Sequence, residues 1–182
     1  MLHVVLVRPQ IPTNTGSIGR TCLNFDAKLH LVGPLGFSLD SSKVKRAGLD
    51  YWQHVDLSVY DDWEHFEEKN RELLVHRFYL SKFGSTSLLD ARFPSSSSGT
   101  TPRSTTLVFG SETSGLYETI GEKAMQGYPV ISLPMLTAFR SKDTPSFNLA
   151  SCVSMVMWEA WKQHAQANPF LLQTSSKNHP NQ

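Results

Sequence analysis

Short apolar runs that alternate with helical segments constrain the fold of this chain more than any other feature. The first run, residues 2–7 (LHVVLV), is almost continuously apolar, which is typical of a strand buried on both faces of a parallel sheet. Further strands are predicted at residues 28–32, 54–59, 73–80, 106–110 and 130–133, and helices at about 17–25, 41–48, 61–70, 117–126 and 146–162. This order predicts an α/β protein with a mainly parallel sheet flanked by helices.

The last predicted helix differs from the others in its hydrophobic pattern. We expect it to begin near Ser146, because Pro145 favours a helix start and a serine oxygen is a good N-cap. From residue 146 to residue 162 apolar side chains surround the axis instead of forming one stripe. Such a helix must be covered on more than one side, and we expect a second subunit to provide part of the cover.

The length of 182 residues favours one domain, which we assign to residues 1–166. Residues 94–106 (PSSSSGTTPRSTT) form a polar, low-complexity insert that cannot contribute to a core, so we expect a flexible surface segment. Residues 167–182 are polar with little periodicity, and we expect a disordered tail.

Composition excludes several classes of protein. No apolar run approaches the ~20 residues that span a bilayer, and no signal-type segment begins the chain, so we expect a cytoplasmic protein. Two distant cysteines predict free thiols, and seven scattered histidines without ligand spacing argue against a metal site. A net charge of +1 excludes a uniformly basic surface but leaves room for a local basic patch.

Three polar loops follow predicted strands: residues 14–20 (NTGSIGR), residues 110–116 (GSETSGL), and Pro134–Met135 followed by residues 146–148 (SFN). In an open parallel sheet, ligands bind where loops diverge at the carboxyl ends of strands. The first loop is not G-x-G-x-x-G, and the second lacks the Lys and Ser/Thr of a P-loop, so a conventional dinucleotide or ATP site is disfavoured. Glu112 would repel a phosphate but suits a cationic or hydroxyl-bearing ligand.

These loops resemble, in order, the three motifs of the SPOUT-superfamily RNA ribose methyltransferases. Asn14 to Arg20 has the form N-x-G-x-x-x-R of the first motif, LVFGSETSGL is similar to the second, and ISLPM with SFNLASCVSMVMWEAW to the third. The segments IPTNTGSIGR, LHLVGPLGF and KRAGLDYW further resemble the small, one-domain tRNA methyltransferases of the TrmL type. The likeness covers about residues 1 to 165.

The resemblance implies an α/β-knot fold whose C-terminal part forms a deep trefoil knot. It also implies methylation of the ribose 2′-hydroxyl of the wobble nucleotide, C or U, of tRNA, with S-adenosylmethionine as methyl donor and no metal. The expected cofactor contacts are Leu80, Gly110, Leu133, Met135 and Ser146, with Met135 on the adenine side. Two alternatives stay open: the same fold methylating another tRNA or rRNA site, and an inactive RNA-binding homologue.

Arg20 matches the family arginine proposed to activate the ribose hydroxyl. A guanidinium stays protonated below a pKa of about 12, so our hypothesis is that Arg20 acts with a lowered pKa or by binding the adjacent phosphate. The resemblance also makes Asn14, Glu112, Ser146 and Asn148 catalytic-site residues, and we expect them to hold Arg20 and the substrate by hydrogen bonds.

For RNA binding, the expected phosphate contacts are Arg8, Lys43 and Arg46, and the expected assembly is a homodimer through the C-terminal helix and knot region. Two features depart from the family pattern. The segment of residues 136–145 is long for a compact member, and Trp158 stands where the family often has tyrosine, whose hydroxyl an indole N–H cannot replace.

Overall fold

A computed structural model describes residues 1–39, 49–94, 104–135 and 146–167. Within these ranges the strands form one seven-stranded sheet, all parallel, in the order β3-β2-β1-β6-β4-β7-β5. The strands are β1 Leu2–Val7, β2 Lys28–Val32, β3 Leu57–Tyr60, β4 Arg77–Leu80, β5 Thr86–Ser87, β6 Thr105–Phe109 and β7 Val130–Ser132. The α-helices are α1 Pro12–Asn24, α2 Trp63–Lys69, α3 Gly121–Met125 and α4 Leu149–Ala167, and 3-10 helices span Leu49–His54 and Arg71–Leu74. The prediction of a parallel α/β sheet is confirmed.

Both faces of the sheet are covered, which explains the continuous hydrophobicity of β1. Val4 and Leu6 belong to the core beneath α1 and α4, whereas Val5 and Val7 belong to the core beneath α2 and α3. Alternate residues of a strand point to opposite faces, so a strand between two helical layers has no solvent-facing position. All six residues of β1 are buried.

Helix α1 begins at Pro12, five residues before the predicted start. Proline is tolerated in the first turn because its missing N–H has no partner there in any case. Ile18 and Cys22 are buried in the core, whereas Leu23 on the same helix is 38% exposed. The early start places Asn14 in the first turn of a helix rather than in a loop.

Helix α4 begins at Leu149, three residues later than predicted, because Asn148 rather than Ser146 is its cap. The side-chain Oδ1 of Asn148 accepts hydrogen bonds from the backbone N–H groups of Ala150 at 2.9 Å and Ser151 at 3.3 Å. The helix packs its buried residues on α1 and the sheet and leaves apolar side chains in solvent. Its buried residues are Val153, Val156, Met157, Ala160 and Ala165.

Other predicted boundaries move because 3-10 turns replace regular structure at element ends. The strands predicted at 54–59 and 73–80 shorten to β3 and β4, each preceded by a 3-10 helix, and the helix predicted at 117–126 shortens to α3. The helix predicted at 61–70 is α2, capped by Asp62, which accepts from the backbone N–H of His65 at 2.8 Å. Two of its aromatic residues, Trp63 and Phe66, are buried. Strand β5 was not predicted.

Several predictions fall on residues outside the described ranges. These are the helix at 41–48 with Lys43 and Arg46, the loop at 136–145, and the predicted tail at 167–182 apart from Ala167, which is the last residue of α4 and so does not belong to a disordered tail. The insert prediction extended too far, since Thr105 and Thr106 are buried residues of β6. The trefoil knot stays a prediction.

In the part of the chain that the structure describes, no helix combines the length and the hydrophobicity needed to cross a membrane. The same part shows no cluster of three His, Cys, Asp or Glu side chains able to hold a metal ion. Its two cysteines, Cys22 and Cys152, are unpaired, as predicted.

Candidate active site

The three polar loops meet around one cavity of about 570 Å³ at the carboxyl edge of the sheet. Strands β1 and β6 are neighbours in the sheet, so the segments that follow them leave the edge side by side. The start of α4 and the turn after β4 close the other walls. The lining includes Asn14 from α1, Leu80 at the end of β4 and Lys82 after it, Gly110, Glu112 and Tyr117 after β6, Ser146 and Asn148 before α4, and Cys152 in α4.

Glu112 links the loop after β6 to the start of α1. Its carboxylate accepts hydrogen bonds from the backbone N–H groups of Gln10 at 2.8 Å and Ile11 at 3.2 Å, and from Nδ2 of Asn14 at 3.0 Å. Helix α1 has no side-chain cap and no acidic residue in its first turn. Glu112 therefore supplies, from about 100 residues away in sequence, the negative charge that favours a helix N-terminus.

Asn14 extends this network to α4. Its side-chain Oδ1 accepts from Nδ2 of Asn148 at 3.0 Å, while its own Nδ2 donates to Glu112. Asn148 uses its Oδ1 to cap α4, so each amide has a fixed orientation. The network Glu112–Asn14–Asn148 thus connects one residue from each of the three predicted motif loops.

A close approach within the loop after β6 sets the position of Glu112. A Cβ atom at Gly110 would overlap the backbone of Gly115 and Leu116, so this position accepts no side chain. Gly115 has a φ of +65°, and its N–H donates to the carbonyl of Ser111 at 2.9 Å. With Leu116 buried at the end of the turn, Glu112 is held over the N-terminus of α1.

Arg20 is not part of this network. It lies six residues after Asn14 on α1, about 9 Å along the helix axis, and its side chain is exposed. Its guanidinium packs over the ring of Tyr51, 5.1 Å from the ring centroid. Among the described contacts none joins Arg20 to Asn14, Glu112, Ser146 or Asn148, and the expected hydrogen bonds to Arg20 stay a prediction beside this cation–π contact.

The 3-10 helix Leu49–His54 holds this part of α1. A Cβ atom at Gly19 would lie 2.6 Å from Cζ3 of Trp52, so the indole packs directly on the helix backbone at that position. Trp52 contacts Gly19 while the neighbouring Tyr51 contacts Arg20. The segment KRAGLDYW carried part of the family resemblance. Its last two residues, Tyr51 and Trp52, therefore contact Arg20, which matches the family arginine, and the neighbouring Gly19.

The predicted cofactor residues separate into two groups. Leu80, Gly110 and Ser146 line the cavity. Leu133 and Met135 are absent from its described lining: Leu133 packs partly buried against the core beneath α1 and α4, and Met135 immediately precedes residues 136–145.

Of the predicted RNA contacts, only Arg8 lies in the described ranges. It follows β1 with a φ of 51°, an uncommon left-handed conformation for a residue with a Cβ atom. Two hydrogen bonds hold this conformation: the N–H of Arg8 donates to the carbonyl of Val32 at 2.7 Å, and its carbonyl accepts from Nε2 of Gln10 at 2.8 Å. Such strain is concentrated at functional sites.

Sequence reasoning missed several residues of the cavity wall, among them Lys82, Phe83, Tyr117 and Cys152. Burial raises the pKa of the Cys152 thiol to about 12, so the thiol stays protonated near neutral pH and is not a nucleophile. The sequence signal for Lys82 and Phe83 was the turn SKFG after β4, which was treated only as the end of a strand.

Comparisons with known proteins agree with this arrangement. The model of the SpoU rRNA Methylase family matches residues 1–158. The tRNA (cytidine(34)-2′-O)-methyltransferase of Burkholderia cenocepacia (strain HI2424) is 38% identical over 163 residues, which are 90% of this chain and 96% of the relative.

A solved structure described as "Structural insights into the 2-OH methylation of C/U34 on tRNA" is 39% identical, with a TM-score of 0.74 over 90% of this chain and 95% of that chain. The family match spans far more than half of the sequence and includes all three loops of the cavity. The chain belongs to the SpoU rRNA Methylase family.

Proposed function

We propose that this protein transfers the methyl group of S-adenosylmethionine to the ribose 2′-hydroxyl of the wobble nucleotide, C or U, of tRNA. The observation that carries the proposal is the network Glu112–Asn14–Asn148, which joins the three motif loops around one cavity. The name of the Burkholderia relative and the subject of the similar solved structure support the reaction and the nucleotide.

The cavity fits S-adenosylmethionine in size and character. Its volume of about 570 Å³ is in the range of small-molecule sites, and it combines apolar walls such as Leu80 with polar groups such as Ser146. We assign the cofactor contacts to Leu80, Gly110 and Ser146, with Leu133 and Met135 beyond the described lining. When bound, the cofactor supplies a methyl group activated by a positively charged sulfur, which suits the neighbouring carboxylate of Glu112.

The network positions the substrate rather than supplying a strong base. A ribose hydroxyl is a poor nucleophile, and a large part of its activation comes from alignment with the methyl group. Glu112 already accepts three hydrogen bonds, and a carboxylate has about four acceptor sites. In this proposal its remaining capacity, with Asn14, Ser146 and Asn148, binds and orients the ribose.

Arg20 acts in this proposal as a phosphate ligand that orients the nucleotide. Its guanidinium is exposed and has no carboxylate partner among the described ion pairs, so its donors are available to RNA. Tyr51 holds the planar group from one side. Arg8, Lys43 and Arg46 are assigned to the remaining phosphate contacts.

A homodimer through α4 completes the proposal, in the cytoplasm where tRNA is found. Trp158 on α4 is 53% exposed and Met155 is 38% exposed, and Leu23 on the adjacent α1 is also 38% exposed. An apolar surface on two packed helices favours burial against a second copy. Analytical ultracentrifugation of wild type and Trp158→Glu tests it: a shift of the variant to monomer supports the interface, and a monomeric wild type contradicts it.

The decisive experiment is methylation of unmodified tRNA with labelled S-adenosylmethionine, followed by mapping of the product nucleotide. A 2′-O-methylated C or U at the wobble position supports the proposal, and methylation at another RNA position supports the first alternative. Absence of transfer with retained RNA binding supports the inactive homologue.

Arg20→Ala tests the role of the arginine, and Arg71→Ala is the matched control. Arg71 is an exposed arginine before β4, at the edge of the sheet opposite the cavity. We expect Arg20→Ala to lose methylation at the wobble position and Arg71→Ala to retain it. Equal activity of the two variants would show that Arg20 has no role in the mechanism.

A further inference from the structure

Two exposed aromatic side chains form part of the cavity wall next to a lysine. Phe83 is 70% exposed and Tyr117 is 37% exposed, and their ring centroids lie 6.1 Å apart at an interplanar angle of 72°. The Nζ atom of Lys82 lies 5.1 Å from the centroid of the Phe83 ring. We define Lys82, Phe83 and Tyr117 as the aromatic platform.

The backbone beneath the platform is held by hydrogen bonds. The N–H of Ser81 donates to the carbonyl of Ile131 at 2.9 Å, and its own carbonyl accepts from the N–H of Gly84 at 3.0 Å. The Oγ atom of Ser81 accepts from the N–H of Phe83 at 3.2 Å. This tight turn after β4 directs Lys82 and Phe83 outward, so their exposure follows from an ordered backbone.

Tyr117 is held in a similar way on the opposite wall. Leu116 is buried, and the hydroxyl of Thr119 donates to the carbonyl of Gly115 at 2.8 Å. The ring therefore extends from a fixed turn toward Phe83. Two aromatic rings on two independent turns meet at the mouth of a cavity, which packing of the core does not require.

We propose that the aromatic platform binds an unpaired nucleotide of the RNA substrate, with its base stacked on Phe83 and Tyr117 and its phosphate on Lys82. This inference rests on the proposed function, because it assumes that RNA approaches this cavity. Unpaired bases are commonly bound by stacking on aromatic side chains, and a lysine beside the ring is a suitable phosphate ligand.

Charges around the platform agree with this orientation. Glu112 and Glu118 also line the cavity, and both carboxylates repel a phosphate. Lys82 is the cationic side chain of the described cavity lining. A nucleotide at the mouth therefore has one favourable direction for its phosphate, toward Lys82 and away from the two glutamates.

The exposure of Phe83 distinguishes an RNA base from the adenine of the cofactor. A cofactor held by Leu80, Gly110 and Ser146 lies in the interior of the cavity, whereas a ring that is 70% exposed faces the entrance. The platform is accordingly assigned to the substrate and not to S-adenosylmethionine.

The test compares Phe83→Ala, Phe83→Tyr and Lys82→Ala with the control Leu89→Ala. Leu89 is 76% exposed and lies outside the cavity lining, so its truncation removes a similar exposed apolar group elsewhere. For Phe83→Ala we expect KM for tRNA to rise about 5- to 100-fold, with recovery in Phe83→Tyr. Lys82→Ala should weaken tRNA binding and lower the steepness of its salt dependence by about one ion.

Calorimetric titration with S-adenosylmethionine accompanies the kinetics and should give the same Kd for wild type and Phe83→Ala. A rise in this Kd that matches the rise in KM would show that the Phe83 ring binds the cofactor, and it would overturn the inference. Unchanged KM for tRNA in Phe83→Ala, with an active wild type, would overturn it as well.

A wild type that methylates no tRNA contradicts the proposed function, and the platform is then tested by binding alone. The probe is a short fluorescein-labelled single-stranded RNA, followed by anisotropy. Weaker binding by Phe83→Ala than by Leu89→Ala supports the platform, and equal binding rejects it.

Discussion

Two polar networks in this protein use similar side chains for different ends. The network Glu112–Asn14–Asn148 lies at the carboxyl edge of the sheet and borders an open cavity. The second network lies inside the molecule between the sheet and α2, and consists of His3, His30, Tyr60 and Asn70. The two networks contain similar residue types. Their positions relative to the sheet distinguish the candidate site from the buried structural network.

The internal network is a hydrogen-bonded chain with one direction. Tyr60 donates its hydroxyl proton to Oδ1 of Asn70 at 3.3 Å, and Asn70 donates to the carbonyl of Phe66 at 2.8 Å. The oxygen of Tyr60 therefore accepts from Nδ1 of His30 at 3.0 Å, and Nε2 of His30 accepts from Nδ1 of His3 at 3.0 Å. Each group is satisfied without a ligand, as buried polar groups require.

The open network retains unused capacity. Glu112 is only partly buried, and Asn148 is exposed. Because solvent reaches these groups, a ligand that replaces water can form additional hydrogen bonds with them. The comparison predicts that changes in the internal chain alter stability, whereas changes at the cavity alter activity.

The largest expected effect is the acid sensitivity of the internal chain. Burial lowers the pKa of His3 to about 4, and burial together with His3 lowers the pKa of His30 to about 3. Between these values and the ordinary pKa of about 6.5 the unfolded chain binds protons that the folded chain does not. The free energy of unfolding should therefore be fully retained above pH 6.5 and fall at lower pH.

From His3 alone we expect a loss on the order of 3 kcal/mol between pH 6.5 and pH 4. Urea denaturation across this range measures it. His3→Gln should reduce the slope, while His54→Gln, at an exposed position, serves as the control. An unchanged slope in His3→Gln would contradict the role of the chain.

The second prediction concerns the cavity. Glu112→Gln keeps one acceptor oxygen and replaces the other by an N–H₂ group, which conflicts either with the donor of Gln10 or with the two donors of Ile11 and Asn14. Loss of alignment should lower kcat/KM for tRNA methylation by about 100-fold. Glu64→Gln, at an exposed carboxylate on α2 outside the cavity lining, is the matched control, and equal rates for the two variants would show that Glu112 takes no part in the reaction.

The third prediction tests the internal network with the variant Tyr60→Phe. The change leaves Nδ1 of His30 and Oδ1 of Asn70 without their partner, which should lower the free energy of unfolding by about 1–3 kcal/mol. At a temperature where the protein is folded, kcat/KM should match wild type. Tyr117→Phe removes the hydroxyl of an exposed tyrosine and is the control for stability. A loss of activity in folded Tyr60→Phe would contradict the distinction between the internal network and the cavity network.

The smallest expected effect on stability comes from Asn148→Ser. Serine caps a helix about as well as asparagine, so the free energy of unfolding should change by only about a few tenths of a kcal/mol. A serine lacks the amide that donates to Asn14, and activity should fall roughly five- to tenfold. Thermal denaturation measures the capping role of Asn148, and single-turnover methylation measures its role in the network. Equal relative losses of stability and of activity would show that the two roles cannot be separated.

Local pattern was enough to predict most of the sheet. Continuous hydrophobicity in residues 2–7 and 28–32 depends on burial of both strand faces, and these strands match the structure residue for residue. Element ends were less predictable, because their hydrogen-bond partners come from elsewhere. Helix α1 begins at Pro12, where the acceptor near its N-terminus is Glu112 from the loop after β6.

For the site, the resemblance of the three loops to the family motifs implied Asn14, Glu112, Ser146 and Asn148, and all four line one cavity. The resemblance implied Arg20 as well, and in the structure its guanidinium packs over the ring of Tyr51. The aromatic platform was not predicted. Whether an aromatic residue after a strand is buried or exposed depends on the conformation of the turn that holds it, which the sequence pattern does not give. The hydrogen bonds of Ser81 hold the turn on which Phe83 faces solvent.

The amino-acid sequence by itself determined the parallel α/β sheet, the positions of its main strands and the three polar loops that border the cavity, because periodicity and small polar residues act locally. The tertiary structure alone decided which polar groups satisfy one another and which remain open to a ligand. Hydrogen bonds between residues about 100 positions apart, such as those from Gln10 and Asn14 to Glu112, depend on how the strands are ordered in the sheet.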